Sequence, residues 1–468
     1  MRTFEYLILI LDAAILVLLL FPNRRPRYLL ICTSIITLVV LFVHLLLEGF
    51  RWQMTLAFLL TVGLLLAALI QGRFGMEKPE RAWRLALLAF IGLVLIVVAA
   101  ALPFLLPVPH LPDPGGPYAI GTTTYHLEDI NRPEIFGESP GGNRELMLQI
   151  WYPADPGTAE EPAPWFDQLD IAASVISERL GLPSFFLGHL NLVKTHALIN
   201  ALPHSDAAPY PLLLFSHGLS GLRMQNTALF EELASNGYIV ASVDHTYDSV
   251  ITILPEGRVI LHHGQTVMPE GVPTVQSGRR LLDVRVQDLT SVLAFLEDQN
   301  RKNDSLLLGR MDMQKIGVMG HSTGGGTAIE FCAQSTQCQA VLALDSWVEP
   351  VSDAAISSAL PQPSMFLNTP EWLGNDNQST GKTFFDLQDQ DSYQVTIEEM
   401  GHNNFTDVPL LTPISAQIGI GGPINGARGI QIVNDYSLAF FERYLRGSDN
   451  PLLETIADQY WEVSFQSN

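Results

Sequence analysis

The residues with the clearest chemical potential are Gly320-His321-Ser322-Thr323-Gly324. A serine hydroxyl is a poor nucleophile at neutral pH and needs a neighbouring base. His402 is the one histidine C-terminal to Ser322, in Glu398-Glu-Met-Gly-His-Asn-Asn-Phe405. Asp345 stands between them, directly after the apolar run Ala340–Leu344 and 23 residues beyond Ser322. This order supplies a nucleophile, an acid to fix an imidazole and a base to take the serine proton, the set used for acyl transfer from esters. The tetrahedral intermediate also needs two aimed N–H donors. Thr323, after the nucleophile, is one. Leu219, in Ser216-His-Gly-Leu219, is the other, with Gly218 and Ser220 as alternatives. His217 is expected to orient that loop rather than to react.

These residues need elements that bring distant segments together. Pro211–Phe215, Tyr238–Val243, Lys315–Met319, Ala340–Leu344, Pro363–Asn368 and Tyr393–Ile397 read as short apolar strands, and Leu146–Tyr152 as a strand entering at the edge. Asn226–Ser235 and the amphipathic Leu281–Leu296 read as helices between them. Such alternation indicates a mostly parallel sheet covered on both faces, the α/β class, with active groups at the carboxyl ends of strands. Ser322 follows a strand and opens a helical stretch, Thr323–Cys332. A tight strand-to-helix turn requires small neighbours, which Gly320 and Gly324–Gly326 provide. Asp244-His245 ends a strand and reads equally as lining the site or as a solvated turn.

The first 106 residues differ from the rest. Apolar runs at about 6–21, 28–47, 54–70 and 86–106 suit a bundle of four transmembrane helices. Residues 107–144 read as a Pro/Gly-rich linker and entry segment, and 145–468 as the catalytic domain. The first loop carries Arg24, Arg25 and Arg27, and the third Arg73, Lys78, Arg81 and Arg84, whereas the second has only Arg51. The positive-inside bias puts loops one and three in the cytoplasm. The expected location is therefore the cell membrane, multi-pass, with both termini and the catalytic domain extracytoplasmic. Asp12 and His44 fall within spans toward the outer side, as a pair or as plain helix–helix contacts.

Nine Lys and Arg stand against five Asp and Glu before residue 107, leaving 17 against 43 after it. A domain this acidic repels phosphate backbones, which excludes nucleic-acid partners. No Cys-x-x-Cys pair occurs, and His262-His263 has no carboxylate at ligand spacing, so neither metal nor cofactor is expected. Cys332 and Cys338 are left open as a disulfide or as two free thiols.

Several motifs together resemble the platelet-activating factor acetylhydrolases of the plasma and intracellular type-II kind. They are Phe215-Ser-His-Gly-Leu219, Leu233-Ala-Ser-Asn-Gly237, Ile239-Val-Ala241, Gly320-His-Ser-Thr-Gly-Gly325, Leu344-Asp-Ser-Trp347 and His402-Asn-Asn-Phe-Thr-Asp407. The resemblance covers roughly residues 145–410. It implies an α/β-hydrolase fold and metal-independent hydrolysis of short or oxidised sn-2 acyl chains of phospholipids. It also implies Ser322, Asp345 and His402 as triad, Leu219 and Thr323 as oxyanion donors, and Trp347, with His217, as candidates for the substrate pocket. Thr323 stands where that family has phenylalanine. Gly324–Gly326 and the ending Tyr436–Arg446 look more like bacterial polyester and dienelactone hydrolases. A general carboxylesterase, an acyltransferase and an inactive membrane sensor or scaffold are the alternatives.

Overall fold

The computed structural model describes residues 1–21, 27–74, 82–137, 141–159, 161–205, 209–370, 376–448, 453–454 and 459–468. They group into two compact units. One comprises Met1–His110, Leu169–Val193 and Leu411–Ile414; the other comprises Leu111–Gln168, Lys194–Leu410 and Ser415–Asn468.

The first unit is built on α1 (Thr3–Leu20), α2 (Arg27–Leu47), α3 (Thr55–Phe74) and α4 (Ala82–Leu105). Four helices here are long and apolar enough to cross a membrane. Their apolar side chains meet in two clusters, around Ile15, Leu30, Leu64 and Ala68 and around Leu9, Met54, Ala57 and Ala99. At one end the buried Arg51 guanidinium clasps Glu5 through two bonds of 2.7 and 2.6 Å and donates to the carbonyls of Pro103 (3.1 Å) and Leu106 (2.5 Å). Start of chain, α2–α3 turn and α4 exit thus converge at one end of the bundle. Asp12 and His44 do not pair. Asp12 accepts from Thr61 Oγ1 (2.8 Å), and His44 Nδ1 contacts Glu48 (3.0 Å). Arg24, Arg25, Lys78 and Arg81 lie outside the described residues. The same unit contains α5 (Leu169–Arg179) and the turn that follows it. Trp52 Nε1–H donates to Phe186 O (3.0 Å), and its ring lies against Phe185 and Phe186.

The second unit carries a sheet of β1 (Ala119–Pro133), β2 (Asn143–Ala154), β3 (Pro162–Pro164), β4 (Lys194–Ile199), β5 (Tyr210–Ser216), β6 (Ile239–Asp244), β9 (Met311–His321), β10 (Cys338–Leu344), β11 (Ser364–Asn368), β12 (Ser392–Ile397) and β13 (Val463–Ser467). A separate hairpin joins β7 (Ile251–Ile253) to β8 (Val259–Leu261). The large sheet runs 13-12-11-10-9-5-6-2-1-4-3, and its middle, from β12 to β6, is parallel throughout. Helices α6 (Thr227–Ser235), α7 (Gly264–Val267), α8 (Thr274–Gln299), α9 (Thr323–Gln334), α10 (Asp353–Ser358), α11 (Asp376–Asp386) and α12 (Gly426–Arg446) connect or cover the strands. A mostly parallel sheet with these helices fits an α/β-hydrolase fold.

The expected apolar strands form within a few residues of their expected limits, but Leu146–Tyr152 lies in β2 inside the sheet, between β6 and β1, not at its edge, because β1, β4 and β3 add beyond it. The helix expected over Leu281–Leu296 begins earlier, at Thr274. Strand β1 is a difference: residues 119–133 pair antiparallel with β2 along its length, within the stretch expected as linker and entry segment. Its Thr122-Thr-Thr-Tyr-His-Leu-Glu128 lacks an apolar run because much of the strand is only half-buried, so pairing with β2 rather than burial makes it a strand. Leu282, Leu289, Val292 and Leu293 of α8 pack in one buried cluster with Leu212, Leu214, Val318 and Val341 of the parallel strands. Cys332 and Cys338 form a disulfide between the end of α9 and the start of β10.

Candidate active site

Register decides which loops become neighbours. Ser216 pairs with Gly320, His321 with Leu344, and Leu344 with Leu367. The carboxyl ends of β5, β9, β10 and β11 therefore stop level, and Ser322, Asp345 and Thr369 emerge side by side. Ser322 sits between β9 and α9 with φ 57° and ψ −121°. A non-glycine residue there costs about 1–3 kcal/mol and persists only where its surroundings impose it. Four backbone bonds do so: Ser322 N–H donates to Leu344 O (2.9 Å), and Ser322 O accepts from Gly325 N–H (3.0 Å), Gly326 N–H (3.3 Å) and Trp347 N–H (3.0 Å). Small residues are obligatory around it. A Cβ on Gly320 would lie 2.2 Å from Gly324 O, and one on Gly324 would lie 1.9 Å from Ser216 O.

Asp345 is completely buried, also at positive φ (41°). Its Oδ2 receives His402 Nδ1 at 2.6 Å. Its Oδ1 receives the Thr369 N–H (2.8 Å) and hydroxyl (3.0 Å). The carboxylate is thus fixed in rotation, and the imidazole Nδ1 carries the proton toward it, which leaves Nε2 as the basic nitrogen. His402 is about one-third exposed, so solvent and small molecules reach part of the ring. A second imidazole steadies it: His321 Nε2–H donates to His402 O (3.0 Å), His321 Nδ1 accepts from Gln225 (3.2 Å), and the two rings lie 4.6 Å apart. Burial, with the neighbouring His402, holds His321 well below the ordinary histidine range.

The Ser216–Leu219 loop packs onto this turn. A Cβ on Gly218 would lie 3.4 Å from Ser322 Cβ, an ordinary contact, and a tighter 3.1 Å from His321 Nδ1, so the glycine lets the loop sit close against the turn. His217 is fully buried. Its Nε2 accepts from Ser249 Oγ (2.8 Å) and His245 N–H (3.1 Å), and its Nδ1–H donates to Gly218 O (2.6 Å). Burial, Arg285 and His245 together depress its pKa far below the usual value. That arrangement orients a loop and offers no face to a substrate. The Trp347 ring lies against Gly278 of α8, with Nε1–H donating to Glu349 (3.1 Å), while its backbone braces Ser322. Asp244 and His245 are neither site-lining nor solvated, since both are fully buried. Asp244 accepts the Arg223 backbone N–H (2.7 Å) and pairs with its guanidinium. His245 bridges Ser216 Oγ (2.9 Å) and Asp288 (2.8 Å), a Ser–His–Asp chain closed to solvent. Burial depresses His245 to a pKa of about 4. Burial alone would raise Asp288; Arg144 and His245 more than offset it and hold the carboxylate ionised.

The sequence reading missed Thr369, His321, Gln225 and Arg285. Thr369 follows a strand as Asp345 does, and that position was its signal. Arg285 and Asp288 interrupt the apolar face of α8, and a charge on a buried face is a signal of the same kind.

Among proteins of known kind, the sequence profile described as platelet-activating factor acetylhydrolase, isoform II, matches residues 108–256 and 288–454. The chain belongs to this family. Matched curated members include the platelet-activating factor acetylhydrolases of Cavia porcellus (28% identical, 72% of this chain and 78% of that one) and Bos taurus (29%, 72% and 77%). A probable 1-alkyl-2-acetylglycerophosphocholine esterase of Arthroderma benhamiae is 25% identical over 76% of this chain and 93% of its own. Among solved structures, a ferulic acid esterase from Streptomyces cinnamoneus superposes with a TM-score of 0.63 at 30% identity, over 77% of this chain and 99% of that one. This acetylhydrolase-family chain is accordingly a carboxylic-ester hydrolase. The matched segments contain the Ser216–Leu219 loop, Ser322, Asp345 and His402; α1–α4 precede them.

Proposed function

We propose that this chain is a membrane-anchored serine esterase that hydrolyses short or oxidised sn-2 acyl esters of phospholipids. The observation that carries the reading is the 2.6 Å contact of Asp345 with His402 Nδ1 beside a serine held at positive φ. Ser322 Oγ attacks the acyl carbonyl carbon while His402 Nε2 takes its proton. Asp345 stabilises the imidazolium, and the Leu219 and Thr323 N–H groups receive the oxyanion. Collapse of the intermediate expels the alcohol portion, which leaves with the proton from His402. Water, deprotonated by the same imidazole, then hydrolyses the acyl-enzyme and releases the acid.

The helices of residues 1–106 are the membrane module, and the unit that carries the sheet, β1 included, is the catalytic domain, which lies outside the cytoplasm. Four apolar helices and the convergence of Arg51, Glu5 and Leu106 O at one bundle end suit an even number of spans. The Cys332–Cys338 disulfide suits an oxidising compartment. A reporter fused after Asn468 and active only in the cytoplasm would refute that orientation.

In the test of function, Ser322→Ala lowers kcat on p-nitrophenyl acetate by about 10⁴-fold or more; undiminished activity sinks the assignment. A panel of sn-2 acyl phospholipids against simple esters of matched chain length separates the phospholipid reading from a general carboxylesterase. The ferulic acid esterase likeness favours including aromatic acid esters in that panel.

A further inference from the structure

Arg285 lies on α8, between the two profile-matched segments, and is fully buried although nothing in the acyl-transfer scheme uses it. Its Nε–H donates to Asp248 Oδ2 (2.6 Å), a second nitrogen pairs with the same carboxylate, and Asp248 is equally buried. The rest of the fork points at the Ser216–Leu219 loop. Nη1 donates to His217 O and, at 3.4 Å, to Ser216 Oγ; Nη2 donates to Gly218 O (3.2 Å). Gly218 O also accepts from His217 Nδ1–H (2.6 Å) and Gly221 N–H (3.0 Å).

Three donors on one carbonyl have a geometric consequence. In a planar trans peptide the C=O and the following N–H point in opposite directions. With Gly218 O held toward Arg285 and His217, the Leu219 N–H must face away from them. Among the described residues it finds no acceptor. The loop's other side abuts the nucleophile turn, where Gly218 approaches Ser322 Cβ.

We propose that Arg285, anchored by Asp248, is a positioning residue that sets the 218–219 peptide plane and so aims the Leu219 N–H at the oxyanion. The inference rests on the triad reading above. A guanidinium suits the task because one rigid fork meets the Asp248 carboxylate and two loop carbonyls at once; a lysine ammonium is a single point that cannot span all three. Being buried, Arg285 acts only through the loop and touches no substrate.

The test uses the full-length protein with Arg285→Met and Arg285→Lys, read against Ser322→Ala. A trifluoromethyl ketone, which forms a hemiketal oxyanion at the serine, probes the donor pair. The expected result is a kcat about 10²-fold lower in Arg285→Met, a smaller loss in Arg285→Lys, and KM within about threefold of the parent. Affinity for the trifluoromethyl ketone falls in parallel with kcat/KM, because both report the oxyanion. A folded Arg285→Met protein with kcat within about threefold of the parent, or with unchanged affinity for the ketone, overturns the proposal. Should both variants fail to fold, the near-isosteric Asp248→Asn must show the same parallel loss; unchanged kinetics there overturn it too. An active Ser322→Ala protein would instead overturn the triad reading itself, so the two failures are distinguishable.

Discussion

Replacing Asp345 by asparagine changes no shape, yet it should nearly abolish turnover, and the reason lies in Thr369. Asp345 Oδ1 receives two donors from Thr369, the backbone N–H at 2.8 Å and the hydroxyl at 3.0 Å. A backbone N–H cannot accept. In the Asn variant the amide oxygen must therefore stay on the Thr369 side, and the NH₂ group must face His402 Nδ1, where Oδ2 now stands at 2.6 Å. An NH₂ group donates, so Nδ1 becomes the acceptor and the ring proton moves to Nε2. That nitrogen can then no longer take the Ser322 proton, and the charge that stabilises the imidazolium is gone as well. The expected loss is about 10⁴-fold in kcat, or about 5 kcal/mol of transition-state stabilisation. KM should change little, because Asp345 is wholly buried. Initial rates on p-nitrophenyl acetate give kcat and KM, and thermal melting verifies folding. A folded Asn variant within about tenfold of the parent, or one whose loss is mainly in KM, would refute the reasoning.

Two further predictions follow from the surroundings of Ser322. Gly324→Ala drives a methyl group to within 1.9 Å of Ser216 O. The Ser216–Leu219 loop or the Ser322 turn must shift, and kcat should fall by about 10²-fold or more, measured beside the parent on the same ester; near-parental turnover would show that the loop's seat against the turn is unimportant. His321 is kept neutral by burial and by His402, whereas in the unfolded chain it titrates near the usual value of about 6.5. Below that pH the unfolded state binds a proton that the folded state refuses, so this residue's contribution to stability falls as pH falls. His321→Asn should therefore make the acid-side decline in unfolding free energy shallower, by about 1.4 kcal/mol per pH unit between roughly pH 6 and 5. Chemical denaturation at several pH values checks this, and identical slopes in both proteins would contradict it.

The sequence by itself determined the elements whose signal is local. Continuous apolar runs specified the four helices of the first unit and the parallel strands, because a strand buried on both faces has little room for polar residues. The glycines around Ser322 announced a turn that admits no side chains. Asp345 stood out because it directly follows an apolar strand, and His402 because it is the one histidine C-terminal to Ser322. Tertiary structure alone decided what depends on register and on pairing across the chain. Strand β1 forms because β2 lies beside it, and a half-buried polar strand carries too little apolar pattern to declare itself. Residues 169–193 join the helical unit through Trp52, Phe185 and Phe186, contacts more than a hundred residues apart in the chain. Asp244-His245 reads as site or turn in sequence; only the sheet shows it entombed beneath the loop, its charges met by Arg223 and its imidazole by Asp288. The same holds for the supports of the site. Thr369, His321 and Arg285 act by orienting a carboxylate, a ring and a peptide plane, and orientation is a property of three-dimensional contact that residue order does not encode.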